Sequence, residues 1–159
     1  MKIRSLLLLL FLIPSSPGWA AGCYTMQEVE AEQGLRIHSE LMVIGLTCAR
    51  MPGGAGLYKD YQNFTSENSD LIAAYESILM SFYKNEGESS PEKSLHDLRT
   101  QLANKISQDA VFMSVSSFCN RYASRIEQAR GMSHKKIRLW ARHVWPDQPL
   151  SRPFCAGRE

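Results

Sequence analysis

Apolar residues along this chain recur at intervals of three and four, the spacing of helix faces, and no stretch reads as a convincing strand. The strongest segment runs from Met26 to about Ala49. Thr25 and Glu28 offer a capping box at its start, in which each side chain satisfies an otherwise unpaired backbone donor. Ala31, Gly34, Leu35, His38, Leu41, Met42, Gly45 and Cys48 draw one stripe down it, and past Glu40 the residues Val43, Ile44 and Leu46 make a second face apolar. A helix with so little polar surface needs neighbours around it, so helix 26–49 is expected at the centre of the fold. Gly34 and Gly45 weaken a helix relative to alanine, and the expected compensation is close approach of a neighbouring backbone.

The same spacing continues down the chain. Leu57, Tyr58, Tyr61 and Phe64 mark a short helix, and Leu71, Tyr75, Ile78, Leu79 and Phe82 mark another, capped by Asn68 or Ser69. A polar loop at 84–90 leads to a third long helix carrying Leu95, Leu98, Leu102, Ile106 and Ala110, with Pro91 in its first turn and a capping box expected from Ser89 and Glu92. Val115, Phe118, Cys119, Tyr122, Ile126 and Ala129 predict a helix closed by Gly131. The last helix is predicted over 133–144, with Ile137, Trp140, Ala141 and Val144 on one side. Pro146, Pro149 and Pro153 leave 146–159 as an irregular tail pinned by Cys155. The expectation is one all-α domain over 21–159, a disulfide-linked bundle of four to five helices.

Residues 1–20 read as a secretory signal: Lys2 and Arg4, then an apolar core from Ser5 to Ile13, then Gly18-Trp19-Ala20 as a small-x-small cleavage site. A periplasmic or secreted location follows, with lipidation of Cys23 after Ala20-Ala21-Gly22 as the alternative. Nothing later is long and apolar enough to span a membrane. Cys23, Cys48, Cys119 and Cys155 form an even set, which in an exported chain means two disulfides. A helix over 26–48 holds Cys23 and Cys48 about 35 Å apart at 1.5 Å per residue, far beyond bridging distance. Of the two remaining pairings, Cys48 with Cys119 and Cys23 with Cys155 is preferred.

Charge is uneven. Without Lys2 and Arg4, the 18 basic residues fall to 16 and match the 16 acidic ones. From Arg121 to Arg152, eight basic residues face only Glu127 and Asp147, whereas residues 21–70 hold seven acidic and three basic ones. This asymmetry predicts a molecule with a basic end and an acidic end.

Signatures of the standard catalytic sites are missing: there is no GxSxG, HExxH, Walker loop, CxxC or CxxCH, and no cofactor or metal is expected. His38, among Leu35, Leu41 and Met42, is a candidate general base if Asp97 or Asp109 partners it; the plain alternative is a buried, hydrogen-bonded histidine. Arg36 and Glu40, one turn apart, read as an ion pair. Glu76-Ser77, near the end of a helix, resembles the catalytic signature of lytic transglycosylases, though the Gly-Leu-Met-Gln segment of that family does not follow. The resemblance implies a cell-wall hydrolase with Glu76 as its acid.

The segment from Arg130 to Trp145 carries no acidic residue. Lys135, Lys136, Arg138, Trp140, Arg142 and Trp145 within it form the expected contact surface for an envelope protein or an anionic surface. Reversing the four charges there is expected to leave the fold intact. Nucleic acid is not an expected partner of an exported chain, and oligomeric state is not legible. A non-enzymatic interaction module is therefore the leading reading.

Overall fold

The computed structural model describes residues 22–146 and 148–155. The expected leader at 1–20 and the outermost part of the tail lie outside them. The fold is all-α, with helices α1 (Met26–Cys48), α2 (Leu57–Glu67), α3 (Ser69–Asn85), α4 (Pro91–Phe112), α5 (Val115–Tyr122), α6 (Ser124–Ala129) and α7 (His134–Ala141). The described residues contain no strand beyond an isolated parallel bridge between Tyr24 and Phe154.

The helix count exceeds the four to five expected, for local reasons. The stripe from Val115 to Ala129 is one amphipathic pattern that breaks at Ala123 into α5 and α6. Asn68 alone separates α2 from α3; its amide donates to the Phe64 carbonyl at 2.8 Å, closing α2 rather than capping α3. The Thr25–Glu28 capping box is present, whereas α4 starts from Ser90 with no side-chain cap, so the box expected from Ser89 is not made. Gly131, at φ +72°, supplies the left-handed residue just beyond α6. The last helix stops at Ala141, and Val144 lies outside it, exposed.

Helix α1 is the hub. It packs against α2, α3, α4 and α7, with α5 and α6 touching it less, and every residue from Val29 to Leu41 is buried. Leu35, Leu41 and Ile44 meet Tyr75, Leu79, Phe118 and Ile126 in one continuous core. At Gly45 the α2 backbone does pass close by, with Tyr58 Cα and the Leu57 carbonyl oxygen 3.4 and 3.5 Å from where a Cβ would be, but these are ordinary contacts and the tightest neighbour is the Tyr61 side chain at 3.2 Å. Gly34 works differently. A Cβ on it would lie 2.2 Å from the ring of Tyr75, so the neighbour it makes room for is a buried aromatic side chain and not a backbone. Gly54 sits in the turn after α1 with its missing side chain aimed at the Cys48 carbonyl, 1.9 Å from where a Cβ would be.

The bridges are Cys48–Cys119, with Cα atoms 5.6 Å apart, and Cys23–Cys155, with Cα atoms 5.1 Å apart. Around the second, Tyr24 N–H donates to the Pro153 carbonyl and Cys155 N–H to the Tyr24 carbonyl, so both ends of the domain are laced together. Cys23 therefore has no thiol left for the lipid alternative. No helix among the described residues is long and apolar enough to cross a membrane.

Candidate functional site

Burial of α1 on every side takes Glu30, Glu32, Gln33, Arg36, His38 and Glu40 into the interior with it. A buried charge is tolerable only when it is paired and hydrogen-bonded, and each carboxylate finds partners far along the chain. Glu30 accepts from Arg138 of α7 and from Arg142 at its C-cap, both at 2.7 Å, and from the Tyr75 hydroxyl at 3.3 Å. Glu32 accepts the Ser151 backbone N–H at 2.9 Å and the Ser151 hydroxyl, with Arg36 at 3.5 Å. Glu40 accepts from Arg125 of α6 at 2.6 Å.

Two expectations are corrected by this network. Arg36 pairs with Glu32 rather than Glu40, because a carboxylate one turn N-terminal to the base is the better-aligned arrangement on a helix. The acidic and basic ends also do not stand apart: Glu30 and Glu40 are neutralised by arginines of the basic stretch.

Between α1, α6, α7 and the residues His143, Trp145 and Gln148 lies a cavity of about 260 Å³ with largely polar lining. Gln33, Arg36 and Glu40 line it from α1, Arg125 from α6, and Trp140 and Trp145 wall it. Arg36 is held in place by its Nε, which donates to Gln33 Oε1 at 3.1 Å, and by its Nη2, which donates to the Pro149 carbonyl at 3.2 Å. That leaves the Gln33 Nε2 group buried with no hydrogen-bond partner among the described residues. Burial pushes the Glu40 carboxyl above the usual carboxylate range, with Arg125, Arg36 and Gln148 opposing the shift.

The expected contact residues divide. Lys135, Lys136 and Arg138 are exposed, Trp145 is about half exposed, and Trp140 is partly buried against the core. Arg138 and Arg142, however, direct their guanidinium groups onto Glu30. Reversing all four charges would set two carboxylates against a buried third, so that substitution is expected to destabilise the fold rather than leave it untouched. Beside α7, Val144, Trp145, Pro146, Pro149, Pro153 and Phe154 line an open groove of about 550 Å³.

His38 faces α2. Thr65 donates its hydroxyl to the Tyr61 carbonyl at 3.0 Å, which leaves the Thr65 oxygen to accept from His38 Nε2 at 3.2 Å; the Tyr61 hydroxyl is 3.3 Å from the same nitrogen. The carboxylates proposed for it are engaged elsewhere, Asp97 by Lys93 and Asp109 by Tyr122. Burial, assisted by the Arg99 charge, lowers the His38 pKa to about 4. An imidazole that weakly basic is a poor general base near neutrality.

Because the folded state disfavours the His38 proton, the unfolded chain takes it up first as pH falls. Stability from this residue is full above about 6.5 and declines towards pH 4, by about 3 kcal/mol in all. His38→Phe is expected to flatten that part of the stability profile in chemical denaturation at pH 7, 5.5 and 4. A wild-type slope retained in the variant would assign the effect elsewhere.

Glu76 pairs with Arg99 at 2.5 Å across α3 and α4 and is not part of the cavity lining. Among the described residues no cluster of three or more His, Cys, Asp or Glu side chains could hold a metal ion. Periodicity did not reveal the cavity residues Gln33, Arg36, Glu40 and Arg125. The available signal was the run of charged residues on a helix whose remaining faces are apolar. No family model, curated protein or solved structure matches this chain.

Proposed function

We propose that this chain is a non-enzymatic binding module of the cell envelope or the secreted fraction, docking a protein partner at the end formed by α7 and the proline-rich segment after it. The observation carrying this is the apolar exposure there: Leu139 is 59 % exposed, Trp145 48 % and Phe154 45 %, beside the exposed Lys135 and Lys136. Exposed aromatic side chains are typical anchors of protein-binding surfaces, and charged residues such as these lysines belong to their polar rim, where they steer association. Val144, Trp145, Pro146, Pro149, Pro153 and Phe154 form an open apolar depression after α7, and with the exposed lysines of α7 it suits a partner segment carrying apolar and acidic side chains. Two disulfides are compatible with an oxidising compartment. The hydrolase reading gains nothing from the arrangement around Glu76.

The test is a photo-crosslinking residue at position 139 in the cell of origin, with and without Lys135→Glu and Lys136→Glu. These lysines are exposed and make no ion pair among the described residues, so the fold should tolerate their reversal. One discrete protein adduct, reduced at least tenfold by the reversal, is expected. Sedimentation of the purified protein with phosphatidylglycerol vesicles, without an adduct, would make the partner a lipid surface instead. Neither adduct nor sedimentation would remove the docking reading.

A further inference from the structure

We infer that the cavity between α1, α6, α7 and the residues His143, Trp145 and Gln148 is a second binding site, for a small organic monocarboxylate of about amino-acid size. Its lining sets the class. The guanidinium groups of Arg36 and Arg125 and the amides of Gln33 and Gln128 offer donors, whereas the carboxylate there, Glu40, is already engaged by Arg125 at 2.6 Å and by the Gln148 amide. Gln33, only 2 % exposed, has its amide Oε1 committed to Arg36 and its Nε2 left without an acceptor. Buried donors of this kind are normally satisfied, and an anionic oxygen is the strongest acceptor they can meet.

Size and apolar wall narrow the class further. At about 260 Å³ the cavity falls just below the range typical of drug-sized ligands. Ile37, Trp140 and Trp145 provide surface for a hydrocarbon or aromatic body, which inorganic anions lack. Glu32 stands behind Arg36 at 3.5 Å and offsets part of its charge, so a single carboxylate fits better than a dianion. A ligand this small should bind with a Kd on the order of 0.1–1 mM.

Saturation-transfer NMR of the full chain tests this with hexanoate, benzoate, phenylacetate and N-acetylalanine, each beside its methyl ester. Binding of at least one acid and of none of the esters is expected. Gln33→Glu keeps an acceptor for Arg36 but replaces the free donor with a charge that repels the ligand. Gln128→Glu does the same from an exposed position that the fold does not depend on. Each should weaken binding at least tenfold. Silence from all four acids would mean that solvent alone serves Gln33, and equal binding of esters, or full binding in both variants, would equally overturn the proposal. Trp145 borders both surfaces, but Lys135, Lys136 and Leu139 are not part of this lining, so the docking test at those positions can fail without touching this one.

Discussion

Replacing Arg138 and Arg142 together by alanine is expected to cost the fold about 3 kcal/mol, the lower end of the range for stripping the partners from a buried charge. The Glu30 side chain is 6 % exposed, and without the arginines it keeps only the Tyr75 hydroxyl at 3.3 Å. The lower end applies because the arginine side chains are 45 % and 58 % exposed, so the pairs are partly solvated already. In a domain of this size the loss corresponds to a fall in Tm of about 10 °C. Adding Glu30→Leu to the double variant removes the orphaned charge and should recover at least half of the loss, since an apolar residue of similar volume often replaces a buried ion without penalty. Thermal denaturation of the wild-type, double and triple forms reads this directly. A double variant within 1 kcal/mol of wild type would show that the Glu30 cluster is no more than a solvated surface pair.

The second large effect concerns the bridge between Cys48 and Cys119. It joins the end of α1 to α5 across a sequence separation of 71 residues. Loop-closure entropy for that length gives about 4 kcal/mol of stabilisation, acting mainly on the unfolded chain. Cys48→Ala with Cys119→Ala should therefore lower the denaturant midpoint strongly, with Cys23–Cys155 intact. Both sulfurs are in the core, so the small voids left by alanine add to the loss rather than offset it. A midpoint unchanged in urea titration would mean that α5 holds to α1 without the crosslink.

Much of the architecture was legible in the residues. The Thr25–Glu28 box and the apolar stripes placed helix α1 at the centre, but Leu46, read as part of a second buried face, is 55 % exposed, and the half of α1 that is enclosed on every side is Val29 to Leu41. Its first half was harder to read, because periodicity counts a glutamate as a solvent-facing position whatever its partner. Glu30 and Arg142 lie 112 residues apart in sequence, and nothing local to either announces the other. The cavity shares that origin, since Gln33, Arg36 and Glu40 belong to one helix and Arg125 to another. The excess of acid in residues 21–70 and of base from Arg121 to Arg152 was the trace of this pairing. Read as two ends, it was the two sides of one interior.

The burial of α1 also sets an order in time. The ribosome makes this helix long before Arg138, Arg142, Ser151 and Cys155, which complete its surroundings. At 5–20 residues per second, the 112 residues from Glu30 to Arg142 take on the order of ten seconds to synthesise. Throughout that interval the glutamates stay hydrated, because burying them before their partners exist would strand charge in the core, and native packing must wait for the far end of the chain.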